Sequence, residues 1–522
     1  MAMLSLFGAL VLSMIVFTVR VYYFSPLCSI SGPFLVRFTR LWYAIHAYHG
    51  HIEQDLAALH AKYGKIVRIA PHEYSIDDPE AVNIIYGRGS KFRKADFYAA
   101  SERPGHPNLF SQRDVAQHDR DRRKYNYAYT MSAMVSYEKY VDDCVELLSC
   151  KLAEQKGPID MAWWLHCFAF DVIGAITFSK RFRFLDAGED VQGLIETVHG
   201  NALYATVFGI FHELYALIFH VKAWLSKVGI LNASGQAFMQ DFAGGLLRTR
   251  RQQLESIDKG ELNPEVDDDR PKDFLAKYMG QHLKDPSHFS IGDVMNGLGA
   301  NINAGSDTTS TTLSAILYHV HKNPEVLAKL RQELEENERN GNISSPITFK
   351  QAQSLPYLQA VIKETLRIHP AVGITLPRVV PQGGVHIAGH FFPDNEVVGI
   401  NPYVAHRNKD VFGEDADLFR PEWWLEQSNK GEMEKYFMAF EMGSRSCIGR
   451  NVALLEITKA VPELLRRFEF QLLDEDKWNT RNWLFIMPEK LKMRVRTREV
   501  SRCWGAVCPK IAEFTLNGSN VG

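Results

Sequence analysis

With 522 residues the chain is long enough for several average domains, yet after its N-terminal region no Pro/Gly/Ser-rich linker or internal repeat divides it, so one large domain is expected. A formal net charge of −2 provides no global basic field, which argues against nucleic acid as a partner. The 7 cysteines are scattered and lack a CxxC pair, a usage that fits a reducing compartment better than a disulfide framework.

The first predicted element is apolar. Leu4 to Val19 carries no charge and Val21 to Phe24 extends the run past Arg20, a length that only just spans a bilayer. Met1-Ala2-Met3 lacks the positive region of a cleaved signal, and the first basic residues, Arg20, Arg37 and Arg40, all follow the run. Residues 1–24 therefore read as an uncleaved anchor, a single N-terminal span that leaves the rest of the chain cytosolic. Ser31-Gly32-Pro33 marks a stiff turn into the globular part. Gly64 to Pro71 alternates like a strand and Asp78-Pro79-Glu80 has the look of a helix start, which together suggest a small β-rich region. Helical periodicity dominates afterwards, over Tyr137–Gln155, Trp163–Phe178, Pro324–Asn340 and Leu355–His369, so the fold is expected to be mainly α.

Ala202 to Leu225 is aromatic-rich and holds only Glu213 and Lys222 as fixed charges. Those charges and two histidines make a second span costly, and an amphipathic roof at the membrane interface or along an apolar channel is expected instead. An ordinary buried helix pair is the alternative. Ser256 to Pro271 is acidic and reads as a solvated loop without function.

Three motifs carry chemistry. Ala304-Gly305-Ser306-Asp307-Thr308-Thr309 lies in a long helix that the spacing starts at Ser290, with Asp293 completing a capping box, and ends at Lys322. Gly297, Gly299 and Gly305 each cost that helix about 1 kcal/mol relative to Ala, so space is required there. Glu364-Thr365-Leu366-Arg367 is an i, i+3 acid–base pair, common on surface helices and weak when exposed. Phe440 to Gly449 reads F-E-M-G-S-R-S-C-I-G; Gly443 suits a tight turn, and Cys447 sits just before a predicted helix whose N-terminus favours a thiolate.

Phe440, Gly443, Arg445, Cys447 and Gly449 fit the pattern F-x-x-G-x-R-x-C-x-G, and with the other two motifs the chain resembles the cytochrome P450 family from about Pro33 to Arg498. The resemblance implies a haem-thiolate monooxygenase of the family fold, with haem b held between the long distal helix and the Cys447 loop, and Cys447 as the iron ligand. It divides the chain into the anchor, a catalytic domain over 30–500 and a tail over 501–522. Carried over by position, Asp307 and Thr308 would be the catalytic pair that handles protons at oxygen, where small residues leave room for a diatomic ligand. Glu364 and Arg367 would form a buried clamp behind the haem loop. His118, Arg122, Arg378 and Arg445 would hold the propionates, with Phe440 also against the cofactor. The family usually completes the clamp with an arginine where this chain has Trp423, and Arg420 is the neighbouring replacement. An apolar small-molecule substrate, O2 and a membrane-bound NADPH–cytochrome P450 reductase are the implied partners, at the endoplasmic reticulum. ADFYAASERP, YTMSAMVSYEKY and AGSDTTSTTLSAILYH resemble fungal microsomal members of the pisatin-demethylase and secondary-metabolite type, which suggests a terpenoid or polyketide substrate. Two other classes would keep the cysteine: an isomerase or dehydratase acting on a peroxide, which needs no Asp–Thr pair, and a non-catalytic haem-binding protein.

Overall fold

The computed structural model describes Val16 and residues 27–230, 234–258, 273–426, 430–473 and 478–498. The anchor over 1–24 (save Val16), the tail over 501–522 and most of the acidic loop lie outside the described residues. Seven helices position the site: α1 (Val115–Tyr125), α2 (Met161–Phe178), α3 (Leu194–Ile210), α4 (Tyr215–Lys227), α5 (Ile291–Lys322), α6 (Pro356–Ile368) and α7 (Arg450–Arg467).

α5 is the axis of the molecule and packs on α2, α6 and α7. It begins as its sequence requires: Ser290 accepts from the Asp293 amide at 3.1 Å, and the Asp293 carboxylate accepts from the Ser290 amide at 2.8 Å. Asn323 and Pro324 end it, because proline starts the next helix, Pro324–Arg339, at its first position. α2 is apolar on every side and correspondingly buried, as a helix without a polar face must be. It is the one described helix long and apolar enough to cross a membrane, but 83% of that window is buried inside the protein, which makes it a core helix.

The β-rich region is small. Five short strands form a sheet in the order Ile66–Ala70, Glu73–Ile76, Val397–Gly399, Arg378–Val379, Arg93–Lys94, with one parallel pairing, Glu73–Ile76 beside Val397–Gly399. Asp78 caps the helix after the second strand by accepting from the Glu80 amide at 2.9 Å. A three-stranded sheet and two hairpins complete the β structure among the described residues. The mainly α architecture and the predicted helix bounds agree with the sequence reading to within a few residues.

The 202–225 stretch splits. α3 buries Val198, Ala205 and Ile210, whereas α4 buries no residue and exposes Leu217, Val221 and Trp224. Cys28, Cys144, Cys167 and Cys447 are free thiols, while Cys150 is disulfide-bonded, against the expectation of an all-reduced set.

Candidate active site

The loop before α7 closes on its own backbone: the Cys447 N–H donates to the Phe440 carbonyl at 2.8 Å. Gly443 has φ +63°, and a Cβ there would stand 2.0 Å from the Tyr86 carbonyl oxygen, so conformation and space both demand glycine. Behind the sulfur, α7 begins at Arg450, and the backbone amides of Gly449 and Arg450 bond to Cys447. Burial pushes the Cys447 thiol up from its ordinary value, while those amides and the Arg122 guanidinium pull it back toward the thiolate. Cys447 is accessible yet enclosed by protein, as a side chain facing an internal cleft is.

Tyr129 ties the start of α7 to α5. Its hydroxyl donates to Asn301 Oδ1, and its carbonyl accepts from Asn451 Nδ2 at 2.9 Å. Just beyond Asn301, Asn303 and Ala304 are exposed and Thr308 is half-buried, its hydroxyl donating to the Ala304 carbonyl at 2.7 Å. The glycines have a different purpose from the one predicted. A Cβ on Gly305 would meet Ile173 Cδ1 at 2.8 Å, and one on Gly297 would meet Tyr278 at 2.6 Å and Tyr125 at 2.9 Å. Two of the three thus serve close packing against neighbouring elements, and only Gly299 has open space around it.

Asp307 is fully buried and faces α2 and α3. Its Oδ1 accepts from His166 Nε2 at 2.7 Å, and His199 Nε2 lies 3.6 Å from the same oxygen, beyond hydrogen-bond range. Burial alone would raise this carboxyl; the two imidazoles more than reverse that and hold it well below the usual carboxylate range. Its Oδ2 is buried without a partner.

Beside the Cys447 loop lies a cluster of buried and half-buried cations. Arg122 Nη1 donates to the Ser446 carbonyl at 2.6 Å, and Arg445 Nη1 to the Gln112 carbonyl at 2.6 Å. Arg378 pairs with Glu441 and donates to the Tyr98 hydroxyl at 3.2 Å. His118 is buried beside them, pushed down to about 4 by burial and by Arg445. Lys94, which the sequence reading did not single out, joins the cluster with its Nζ donating to the Phe110 carbonyl at 2.7 Å. Burial, with Arg378, Arg445 and Arg122 nearby, pushes it down to about 7. Phe440 lies under the Arg450 guanidinium, 5.5 Å from its ring centroid.

The acid–base pair on α6 is fully buried. Glu364 accepts from Arg367 at 2.8 and 2.7 Å, and Arg367 also donates to the carbonyls of His406, Ala416 and Leu418 at 2.6–2.8 Å. Where an arginine was expected, Trp423 lies with its ring centroid 4.9 Å from the Arg367 guanidinium. Glu364 is completed by the Trp424 indole at 2.9 Å and the Arg420 backbone amide at 2.9 Å. The Arg420 side chain turns out to Glu426 at the surface, which corrects its predicted substitution for the missing arginine. His406 links clamp to loop: its Nδ1 donates to the Arg367 carbonyl at 2.9 Å and its Nε2 accepts from the Met438 amide at 2.8 Å.

Residues 32–495 match the family Cytochrome P450. The chain belongs to the cytochrome P450 family. It is 38% identical over 474 residues to a pisatin demethylase of Fusarium vanettenii, covering 90% of this chain and 88% of that protein. It is 36% identical to a cytochrome P450 monooxygenase of Aspergillus terreus, over 86% and 91% of the two chains. A further relative, the cytochrome P450 monooxygenase cicH of Emericella nidulans, is 34% identical over 92% and 97%. The protein is accordingly a cytochrome P450 monooxygenase, an oxidoreductase whose family uses thiolate-bound haem, O2 and a small-molecule substrate.

The residues present fit that cofactor. Lys94, Arg122, Arg378 and Arg445 face two acids, Glu441 and the more exposed Asp119, leaving an excess of positive charge that two propionates would balance. A soft sulfur on an amide-lined loop suits haem iron. Among the residues missed from sequence, His166 gave a signal, since a histidine in the apolar run MAWWLHCFAF must find a buried partner. Lys94 and His199 gave none.

Proposed function

We propose that this cytochrome P450 inserts one oxygen atom from O2 into an apolar small molecule, a fungal secondary metabolite of terpenoid or polyketide type, with electrons drawn from NADPH through a separate reductase. The observation that carries the reading is the pairing of the Cys447 loop, whose amides and Arg122 offset part of the burial of the sulfur, with an α5 that leaves Ala304 exposed and Thr308 half-buried beside Asp307. Cys447 is the iron ligand. Bound haem supplies oxygen activation and the oxidising equivalent; the chain's own residues orient it, exclude water and deliver protons. Arg122, Arg378, Arg445, His118 and Lys94 receive the propionates, with Phe440 against the macrocycle. Thr308 presents its hydroxyl to oxygen or water at the distal face, and Asp307 passes protons toward it. Demethylation is named in one relative and is one outcome of such an insertion, at the carbon of an O-methyl group.

Cys447→Ser tests the central assignment. The variant should lose the red-shifted Soret band of the reduced carbon monoxide complex, and persistence of that band would refute the ligand. Co-expression with a reductase should make oxidised product depend on NADPH and O2; turnover without NADPH would favour the peroxide isomerase instead.

The same reading puts the protein on the endoplasmic reticulum through residues 1–24, with the domain cytosolic. What supports a membrane face is α4, whose Leu217, Val221 and Trp224 are exposed; Leu41 and Ile45 are exposed as well, just after Arg40, which pairs with Glu213 ahead of α4 at 2.7 Å. A chain lacking 1–24 should still bind anionic phospholipid vesicles, and Leu217→Glu with Trp224→Glu should remove that binding. Asn342, an exposed asparagine in the sequon Asn342-Ile343-Ser344, should carry no glycan in a eukaryotic host.

A further inference from the structure

A cavity of about 370 Å³ runs between α2, α3, α5 and the hairpin of Thr480–Asn482 and Ile486–Pro488. Its outer end carries the half-exposed ion pair of Arg481 and Glu489, at 2.7 Å. Its inner end is lined by His166, His199 and Ser310. That is room for several waters, with polar partners at both ends. The two histidines are those that face Asp307. Two imidazoles and a carboxylate are also a metal-ligand set, but the geometry is wrong for chelation. The rings stack at 5.3 Å with only 20° between their planes, so their nitrogen lone pairs run side by side and do not converge on one point. His166 Nε2 at 2.7 Å is moreover already a hydrogen-bond donor to Asp307.

We propose that this cavity is the proton inlet of the distal site, with His199 as the residue that takes protons from cavity water and passes them to Asp307. The inference rests on the reading of Asp307 and Thr308 given above. Each turnover consumes substrate, O2, NADPH and one H⁺ and yields oxidised product, NADP⁺ and one water; reducing the second oxygen atom to water requires two protons at the distal face. The His199 side chain lines the cavity and is one-third exposed, while its Nε2 is enclosed on the Asp307 side and has no hydrogen-bond partner. A movement of under 1 Å closes its 3.6 Å separation from Asp307 Oδ1 to a hydrogen bond. The Nε2 proton then passes to the carboxylate, leaving neutral imidazole protonated at Nδ1; because Nε2 is enclosed, the ring must turn to offer the bare nitrogen to cavity water, which reprotonates it. His166 keeps Asp307 ionised at rest, so the acid relays protons and does not store them. The groups facing His199 are Asp307 from α5, His166 from α2, Asp190 from the turn before α3 and, around the cavity, Asp160, Arg481 and Glu489. Burial would lower His199, but Asp307 and then Asp190 raise it above the ordinary histidine value.

The test uses the haem-loaded full chain and needs no known substrate. In the reduced carbon monoxide complex, the C–O stretching frequency reads the field at the distal face. It should shift with pH in the wild type, with a midpoint above the ordinary histidine value, and stay flat in His199→Phe and His199→Gln. With reductase, NADPH and O2 alone, peroxide released per NADPH should rise severalfold in both variants. His199→Gln keeps size and hydrogen bonding but cannot titrate, so a merely structural role predicts wild-type behaviour for it, and that result would overturn the inlet. Thr308→Ala separates the two readings. If it raises peroxide release while His199→Phe does not, only the inlet falls; if neither does, the roles of Thr308 and Asp307 fall with it.

Discussion

Single atoms decide the chemistry of this site. Thr308→Ala removes one hydroxyl, leaves Cys447 and the cation cluster untouched and favours the helix slightly, so haem should still load. Product per NADPH should fall by about tenfold or more, the scale of a lost proton-transfer group, with the missing electrons appearing as hydrogen peroxide. Unchanged coupling would remove Thr308 from the mechanism. Gly443→Ala has a different fate. Its Cβ would collide with the Tyr86 carbonyl at 2.0 Å in a left-handed conformation, so the loop around Cys447 must shift. Haem content after purification should drop even though no ligand has been altered.

At the scale of elements, the clamp shows how a fold keeps a function when one of its parts changes type. Glu364 and Arg367 are both fully buried, and such a pair is stable only when its remaining donors and acceptors are satisfied. Trp424 and the Arg420 amide satisfy Glu364 here. Trp424→Phe should therefore cost about 1.5–3 kcal/mol, the value of a hydrogen bond to a charged group, measured by denaturant unfolding of the holoprotein. The contact between α5 and α2 is equally specific. Gly305→Ala should destabilise, and a second change, Ile173→Val, should recover part of the loss by withdrawing the colliding methyl. These pairings mark the limit of what the sequence discloses. The Cys447 loop, the Asp307-Thr308 pair and the Glu364–Arg367 pair are local strings whose spacing carries their meaning, and all three were legible. The purpose of Gly305, the identity of the clamp's third member and the imidazoles on Asp307 were not. Each depends on a residue brought in from a distant element, His166 being 141 residues from Asp307, and periodicity holds no record of such meetings.

For the molecule as a whole, histidines kept neutral in the interior set an acid limit. Burial pushes His406 down to about 3 and His369 down to about 4. An unfolded histidine titrates near about 6.5, so above that pH neither state is protonated and the stabilisation is fully present. As pH falls below it, the unfolded chain takes up a proton that the folded chain refuses, and stability declines until pH approaches the folded value. His406→Asn removes one such proton. Its unfolding free energy should be lower than wild type at pH 7, yet fall less steeply between pH 6 and 4, by about 1.4 kcal/mol per pH unit. Parallel slopes would show that His406 is not the group responsible. The exchange of an arginine for indoles at the clamp also changes what light can detect. Trp424 stands edge-on to Phe437 at 5.5 Å, and Phe437 stacks on His406, whose other contacts reach Arg367 and the strand of chain entering the Cys447 loop. The clamp thus contains its own fluorophore. Subtracting the emission of Trp424→Phe from that of the wild type isolates one indole among 9, and its red shift during unfolding would time the opening of the haem-loop support separately from the collapse of everything around it.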